Sequence, residues 1–400
     1  MAQVILKAVS KVYPRKNGTY LTAVNDLNLE IEDHEFVVLA GPAGCGKSSV
    51  IRMIAGLEAI SKGDIFIGDR RINDVPPKDR DMVLVPDSYL PYPRMTVHDN
   101  LAFGLKQREF SEAEIEKRVA TAAGILGLQE LLEGKAVVLS AEQRQRVAVA
   151  RAVALQPRVF LFDEPLLNLD AVARVQLRGE IAKLHQRLQA ATIYATHDPV
   201  EAMALGGRIV VMNDGMVQQA GTGSTLYEEP ANSFVAGFLG SPPMNLVRGT
   251  LKQNRDSLLF SEMEEGTIEA RLPSSEFPGA RDFIGKPVLL GIRPEDIQVA
   301  QPPKAPEKYS GTFPAIVDLV EPRGSETVIY LNTGSHKLFC SSILRMDSLE
   351  SGHRLQFEMD LRKAHLFDPV STRRIGPGNL ISYAPETCVS FLLPFQSERG

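Results

Sequence analysis

A glycine-rich segment near the N-terminus has the spacing GxxxxGK[ST], which suits the binding of phosphate groups. It follows the apolar run Phe36–Ala40 and precedes the helical pattern Ser49–Leu57, the strand–loop–helix setting that this chemistry requires. Glycines let the backbone wrap closely around phosphates, and the helix N-terminus adds positive potential. The residues expected to bind a nucleotide here are Gly41, Pro42, Ala43, Gly44, Cys45, Gly46, Lys47, Ser48 and Ser49.

Three side chains of this segment have separate expectations. Lys47 is expected to meet the β- and γ-phosphates of a nucleotide, and the Ser48 hydroxyl is expected to ligate Mg²⁺. Cys45 occupies a variable position of the pattern, so we interpret it as a small packing residue and not as a redox centre.

Two carboxylates follow the apolar run Val159–Phe162. Asp163 and Glu164 stand where this predicted strand ends, and ligands bind at the carboxyl edge of open α/β sheets. We expect Asp163 to hold Mg²⁺ through its coordination shell and Glu164 to orient and polarise an attacking water. Two acidic residues after a strand are by themselves weak evidence for these two roles. They become strong evidence when a phosphate-binding loop precedes them in the chain.

The elements that must position these residues alternate between short apolar runs and helical patterns up to about residue 240. Ala171–Leu188 has apolar residues at helical spacing, and the region 86–157 has helical patterns at Glu112–Leu132 and Glu142–Leu155 but no convincing strand. This alternation predicts an α/β layered core with a helical insert. The predicted strands are Val4–Val9, Phe36–Ala40, Ile65–Ile67, Met82–Val85, Val159–Phe162, Thr192–Ala195 and Ile209–Met212.

The character of the chain changes after Gly240-Ser241-Pro242-Pro243. Short strand-like runs now recur between turns, and residues 301–306 read as a loop. This half is therefore predicted to be a small-barrel β domain. Its predicted strands are Val288–Ile292, Ala315–Val320, Thr327–Leu331, Lys337–Cys340 and Leu355–Met359.

Composition excludes several classes of protein. The chain has 400 residues and a formal net charge of −5, which argues against binding to the phosphate backbone of DNA or RNA. Its three cysteines, Cys45, Cys340 and Cys388, lie far apart and form no CxxC, so a zinc site or a disulfide framework is not expected. The N-terminal apolar run is too short for a signal peptide, and no stretch approaches the roughly 18 apolar residues of a membrane-spanning helix.

On these residues the chain resembles the ATPase subunits of ATP-binding cassette (ABC) transporters, specifically those of maltose-type and glycerol-phosphate-type sugar importers. Asp163–Asp170 resembles the end of the Walker B strand followed by the D-loop, and Thr196-His197-Asp198 resembles the loop whose histidine senses the γ-phosphate. Tyr13 matches in position the aromatic residue that stacks on adenine. The segments that resemble the regulatory OB-like domain of these importers are Ala231–Asn245, Leu290–Glu295 and Lys363–Asp368.

This resemblance covers essentially the whole chain and implies a fold, an activity and partners. It implies a P-loop NTPase (RecA-like) core in residues 1–240 with a helical subdomain at about 86–157, and an all-β OB-like regulatory domain in 241–400. It implies that a dimer of ATPase subunits binds ATP and Mg²⁺, hydrolyses ATP with Glu164 and His197, and drives uptake of a sugar-like solute through separate integral membrane subunits. The expected location is the cytoplasm, peripheral on the inner face of the plasma membrane.

The family's signature, Leu-Ser-Gly-Gly-Gln, is altered in this chain. It reads Leu139-Ser140-Ala141-Glu142-Gln143, in which Ser140 and Gln143 keep the residues that the family presents to the partner subunit's ATP. Glu142 is expected to put a carboxylate where that phosphate arrives. At roughly 5 Å and an effective dielectric near 20, the repulsion is about 3 kcal/mol, on the order of a hundredfold in closure of the dimer.

A second departure lies in the segment Val85-Pro86-Asp87-Ser88-Tyr89, where the family carries Phe-Gln. The family's glutamine touches Mg²⁺ and the attacking water, and it relays the state of the site to the membrane subunit. Asp87 can still ligate Mg²⁺ through oxygen and is a further candidate metal ligand. It is one carbon shorter and adds negative charge, while Pro86 removes a backbone N–H and stiffens the segment.

Three functions are therefore considered. The first is the ATPase subunit of a sugar importer. The second is a non-catalytic or half-catalytic nucleotide-sensing subunit that pairs with a different ATPase. The third is a P-loop protein with no membrane partner, against which the importer-like second half argues.

Overall fold

The computed structural model describes residues 3–88, 91–188, 190–254, 257–300, 310–343 and 349–376. The predicted loop at 301–306, Tyr89 and Cys388 lie outside these residues. The helices are α1 (Lys47–Ala55), α2 (Val97–Gln107), α3 (Glu112–Ile125), α4 (Ala141–Leu155), α5 (Ala171–Leu188), α6 (Pro199–Leu205), α7 (Gly223–Glu228) and α8 (Ser233–Phe238).

The strands begin and end as follows. In the first part of the chain they are β1 (Val4–Pro14), β2 (Tyr20–Ile31), β3 (Phe36–Ala40), β4 (Lys62–Ile67), β5 (Arg70–Arg71), β6 (Met82–Val85), β7 (Val159–Asp163), β8 (Ala191–Thr196), β9 (Arg208–Asn213) and β10 (Met216–Thr222). In the second part they are β11 (Asn245–Asn254), β12 (Ser257–Glu262), β13 (Glu269–Pro273), β14 (Pro287–Ile292), β15 (Ile297–Val299), β16 (Ser310–Pro322), β17 (Thr327–Asn332), β18 (Lys337–Ser342), β19 (Arg354–Asp360) and β20 (His365–Phe367).

A six-stranded sheet with the order β10-β9-β3-β8-β7-β6 forms the centre of the first part. All its pairings are parallel except that of β10 with β9. Every residue of β3, β7 and β8 is buried, because alternate side chains enter apolar cores on the two faces of the sheet. The predicted α/β core is confirmed, and β3, β7 and β8 end at one edge of this sheet.

A second, antiparallel sheet with the order β2-β1-β4-β5 packs against the core that contains α1. Two predicted strands, Val4–Val9 and Ile65–Ile67, belong to this sheet and not to the parallel one. The neighbouring strand β2 was not predicted, because Asn25 and Asp26, residue types typical of turns, interrupt its pattern of buried residues.

Three helices lie between β6 and β7, as the predicted helical insert requires. The predicted helix Glu142–Leu155 corresponds to α4 and is confirmed. The prediction of one helix over Glu112–Leu132 was wrong, since α3 ends at Ile125 and Gly127 takes a left-handed conformation with φ of 64°. Helix α2 was not predicted; the Thr96 side chain caps it by accepting a hydrogen bond from the Asp99 N–H.

The second part contains two five-stranded sheets, with the orders β13-β12-β11-β14-β20 and β15-β19-β16-β17-β18. The pairings within both sheets are antiparallel, and the two sheets share one apolar core. The predicted strands of this half fall within β14, β16, β17, β18 and β19, which confirms the all-β prediction.

Arg293 joins the two parts of the chain. Its guanidinium donates hydrogen bonds to the carbonyl oxygens of Ala236, Leu239 and Tyr227, and it stacks 3.7 Å from the centre of the Tyr227 ring. Because Arg293 is buried, these contacts replace the hydration of its terminal nitrogens, and they hold the start of the second part of the chain against the end of the first part. Within the described residues, none of the helices has both the length and the apolar character needed to cross a membrane.

Candidate functional site

The glycine-rich loop leads from the end of β3 directly into α1. Ala43 and Gly44 are exposed at its tip, while the Cys45 N–H donates to the Pro42 carbonyl at 3.3 Å and closes the turn. Gly46 precedes α1 with φ of 111°, and a Cβ at this position would overlap the carbonyl oxygen of Ala23. Glycine is therefore required here, because any other residue would be strained and would displace β2.

Lys47 lies buried within the loop. Its ammonium donates hydrogen bonds to the Gly41 carbonyl at 2.8 Å and the Pro42 carbonyl at 3.0 Å, and it lies 3.4 Å from Glu164 Oε1. The ammonium is thus held inside the phosphate-binding loop, where a polyphosphate would be its natural partner. Burial raises the pKa of the neighbouring Cys45 thiol, which keeps that thiol protonated at neutral pH and agrees with its interpretation as a packing residue.

Ser48 and Asp163 meet at the edge of the sheet. The Ser48 hydroxyl donates to Asp163 Oδ1 at 2.7 Å, and Arg52 Nε lies 3.7 Å from Asp163 Oδ2. Burial raises the pKa of the Asp163 carboxyl, and the hydrogen bond from Ser48 and the charge of Arg52 act in the opposite direction. The two oxygen-donor side chains predicted to hold a metal are therefore adjacent.

These donors fit Mg²⁺, which prefers oxygen ligands and is usually held by one or two carboxylates together with phosphate oxygens of a substrate. Within the described residues, no group of three or more His, Cys, Asp or Glu is arranged to hold a metal by itself. A magnesium ion at Ser48 and Asp163 would therefore need further oxygens from water and a bound polyphosphate to complete its coordination.

Glu164 connects the loop with β8. Its backbone has φ of 49°, a left-handed conformation that a non-glycine residue adopts at a cost, and its N–H donates to the Ala195 carbonyl at 3.1 Å. The carboxylate lies between two groups, because Oε1 faces Lys47 and Oε2 faces His197 Nδ1 at 2.8 Å. A carboxylate held in this way is placed to accept a proton from a water molecule at the loop.

Tyr13 lies near the end of β1 and reaches the first turn of α1. Its hydroxyl is 3.3 Å from Ser49 Oγ, and the Lys11 ammonium lies 4.6 Å from the centre of its ring. Lys11 is itself paired with Glu58 at 2.9 Å. The structure therefore brings Tyr13 next to the predicted nucleotide-binding residues, with one ring face covered by a cation.

The altered signature lies at the N-terminus of α4, in the helical region. Ser140 caps this helix by accepting a hydrogen bond from the Gln143 N–H at 3.1 Å, and Gln143 Oε1 accepts from the Ser140 N–H at 2.9 Å. The two side chains thus form a capping box, which was not predicted from the sequence although its Ser-x-x-Gln spacing was visible. Glu142 lies beside this cap and pairs with Arg146.

Asp87 lies just after the end of β6, in a segment linked to two other parts of the chain. Its carboxylate accepts hydrogen bonds from the Ser88 N–H at 2.7 Å and the Ser88 hydroxyl at 3.1 Å, and its carbonyl accepts from the Asn168 side chain at 3.2 Å. The Gln145 side chain of α4 donates to the Pro86 carbonyl at 3.2 Å. These links between β6, α4 and the segment after Glu164 were not predicted, since no local pattern signals them.

The family profiles that match the chain agree with this division of the fold. A profile described as ABC transporter matches residues 24–167. Profiles described as MalK OB fold domain and TOBE domain match residues 240–297 and 290–367.

Curated relatives match nearly the whole chain. The oligosaccharides import ATP-binding protein MsmX of Bacillus subtilis strain 168 is 47% identical, over 94% of this chain and 100% of the relative. The trehalose/maltose import ATP-binding protein MalK of Thermococcus litoralis is 43% identical, over 94% of this chain and 100% of the relative.

A solved structure resembles the first part of the chain. The ATP-binding cassette MJ0796, solved as a dimer bound to ADP and Pi, aligns with a TM-score of 0.50 and 28% identity, and the match covers 55% of this chain and 98% of that chain. The likeness in sequence and fold therefore places the chain in the family of ABC transporter ATP-binding proteins that carry MalK-type OB and TOBE domains.

Proposed function

We propose that this protein is the ATP-hydrolysing subunit of an importer and that two copies close on ATP to drive uptake of a sugar-like solute. The observation that carries the proposal is the linked set of side chains at the sheet edge. Glu164 contacts Lys47 through one carboxylate oxygen and His197 through the other. Beside them, Ser48 and Asp163 form a hydrogen bond. All of them lie around one glycine-rich loop.

In this proposal Lys47 and the loop bind the phosphates, and Tyr13 stacks on adenine with the ring face that Lys11 does not cover. Glu164 accepts the proton of the attacking water, and His197 holds the Glu164 carboxylate in place and senses the γ-phosphate. Ser48 and Asp163, together with Asp87, are the residues that would hold Mg²⁺. When bound, this ion neutralises negative charge on the phosphates.

The second copy supplies the rest of each nucleotide site. We propose that Ser140 and Gln143 at the N-terminus of α4 face the ATP of the partner subunit, where unpaired N–H groups of a helix favour an anion. The dimeric form of the structurally similar cassette MJ0796 supports this arrangement.

The names of the relatives support the substrate class that we propose. Because MsmX and the Thermococcus MalK are named as importers of oligosaccharides and of trehalose or maltose, we propose a sugar-like solute for this chain. Separate integral membrane subunits would form the pathway, and the chain would lie on the cytoplasmic face of the membrane. We further propose residues 1–240 as the ATPase domain and 241–400 as the regulatory domain, a division that the change in fold after α8 supports.

The test measures ATP binding and steady-state ATP turnover of the purified chain, with Glu164→Gln as the matched control. The proposal expects tight binding of magnesium nucleotide by both proteins, and turnover by the wild type that exceeds the control at least a hundredfold. Turnover equal to the control in the chain alone, restored by a different ATPase with an intact signature, would support the half-catalytic alternative. No affinity for magnesium nucleotide would reject both functions.

A further inference from the structure

Glu142 replaces a glycine of the family signature, and its carboxylate is held by a neighbour. Arg146, one turn later on α4, contacts Glu142 Oε1 through Nε at 2.9 Å. In a helix the residue at i+4 lies one turn nearer the C-terminus on the same face. The contact therefore draws the Glu142 carboxylate back along α4, away from the helix N-terminus.

Arg146 itself is fixed by contacts outside its own helix. Its Nη1 donates to both carboxylate oxygens of Glu180 on α5, at 2.6 Å and 2.8 Å, and to the Leu126 carbonyl at 3.2 Å. The Arg146 side chain is 15% exposed, whereas that of Glu142 is 35% exposed. Arg146 is thus the anchored member of the pair, and Glu142 is the member that is free to turn if the contact is lost.

At the cap of α4, an unrestrained Glu142 and an incoming anion would compete for the same backbone N–H groups. The N–H groups of Ala141 and Glu142 lie in the first turn, where a helix has no acceptor of its own. An unrestrained carboxylate at position 142 would compete for these groups and repel a phosphate.

We propose that Arg146 is a positioning residue for the ATPase reaction, because it holds Glu142 clear of the place where the partner subunit's nucleotide phosphates meet α4. This inference rests on the proposed function of the dimer. It changes the expectation from the sequence: Arg146 restrains the Glu142 carboxylate within the chain, so the altered signature is compatible with closure on a nucleoside triphosphate.

The main experiment compares steady-state ATP turnover in Arg146→Leu, Glu142→Gln and the double variant. We expect Arg146→Leu to lower kcat at least tenfold while leaving the affinity of the chain for magnesium ATP unchanged. Glu142→Gln added to Arg146→Leu should restore kcat at least tenfold, and the same change should have at least a fivefold smaller effect when Arg146 is present. A purely structural role for Arg146 predicts no rescue, since Glu180 and Leu126 would still lack their partner.

A second comparison keeps Arg146 and its contacts outside α4 in place. Glu142→Asp shortens the side chain so that it no longer reaches Arg146, and Glu142→Asn has nearly the same size without the charge. We expect Glu142→Asp to turn over ATP at least fivefold more slowly than Glu142→Asn. Raising the salt concentration should reduce this difference in ATP turnover, because it arises from repulsion between the partly exposed carboxylate and the nucleotide phosphates.

The matched control is the pair Glu114–Arg118 on α3, which has the same i,i+4 spacing at 2.6 Å in the same helical region. Arg118→Leu should remain within twofold of wild-type turnover. An active wild type combined with no rescue by Glu142→Gln and equal rates for Glu142→Asp and Glu142→Asn would overturn this inference alone. A wild type with no more turnover than Glu164→Gln would reject the proposed homodimeric ATPase instead.

Discussion

The carboxyl edge of the parallel sheet and the N-terminus of α4 are the two regions of the chain that we propose to face nucleotide phosphates, and they are built differently. At the sheet edge, Glu164 contacts both Lys47 and His197, and the Lys47 ammonium lies within the phosphate-binding loop. At the N-terminus of α4, the polar side chains of Ser140 and Gln143 satisfy their own helix.

The difference shows where each region can tolerate change. The sheet edge depends on particular side chains that must reach a nucleotide, and it keeps the family's residues. The α4 terminus offers mainly backbone N–H groups, so Glu142 can replace a glycine provided that Arg146 restrains it. The first region is specified by its side chains and the second by its backbone and one ion pair.

The largest expected effect comes from removing the carboxylate at the sheet edge. Glu164→Gln should lower ATP turnover by roughly 10²- to 10⁴-fold, the range typical of a lost general base, because the amide cannot accept the proton of water. Binding of magnesium ATP should persist, since Lys47 and the loop are unchanged. Turnover within tenfold of the wild type would contradict the role of Glu164 as general base. It would also contradict the view that the sheet edge depends on particular side chains.

The next effect concerns binding and not the chemical step. Lys47→Ala removes the ammonium that now contacts Gly41, Pro42 and Glu164, and it should weaken ATP binding by about tenfold or more, since a charge-assisted hydrogen bond contributes about 1.5–3 kcal/mol. Isothermal titration measures this change. The mutation Lys183→Ala on α5 is a suitable control for loss of a lysine far from the loop, and it should leave the ATP affinity unchanged.

A smaller effect is expected at α4, and it tests the comparison directly. Restoring both glycines with Ala141→Gly and Glu142→Gly should raise ATP turnover by less than about fivefold, because Arg146 already holds the removed carboxylate away from the helix N-terminus. The measurement is steady-state kcat of the double variant against the wild type. A gain of fiftyfold or more would show that the altered signature blocks closure, and it would favour the half-catalytic alternative.

The smallest effect concerns stability and pH. Because burial raises the pKa of Asp163 above its unfolded value of about 3.8, the folded state binds this proton more tightly than the unfolded state. The charged carboxylate therefore destabilises the nucleotide-free protein at neutral pH, and this cost disappears as the pH falls toward the unfolded value. Asp163→Asn should raise the Tm by a few degrees at pH 7 and by less at pH 4.5.

Calorimetry without nucleotide and magnesium tests this last prediction. A lower Tm for Asp163→Asn at pH 7, or a shift that does not depend on pH, would contradict it. The same variant should lose ATP turnover. A higher Tm together with a loss of activity would show that Asp163 serves the reaction at a cost in stability.

Most of the local structure was predictable from the sequence, because its signals lie within a few consecutive residues. Strands β3, β7 and β8 are continuous apolar runs, and the loop Gly41–Ser48 is recognisable from its glycines and its lysine. Strand β2 and the true end of α3 were not predicted, since the turn-forming residue types Asn25 and Asp26 interrupt the pattern of the strand and the helix end depends on a left-handed Gly127.

By itself the sequence determined which side chains are available for chemistry and the strand–loop–helix unit that carries the first of them, since both depend on neighbouring residues. Only the tertiary structure decided which of them meet. The sheet order β3-β8-β7 brings Ser48 to Asp163 across 115 positions of the chain and His197 to Glu164 across 33. The i,i+4 spacing of Glu142 and Arg146 is visible in the sequence. The contact between Arg146 and Glu180 exists only because α4 packs near α5.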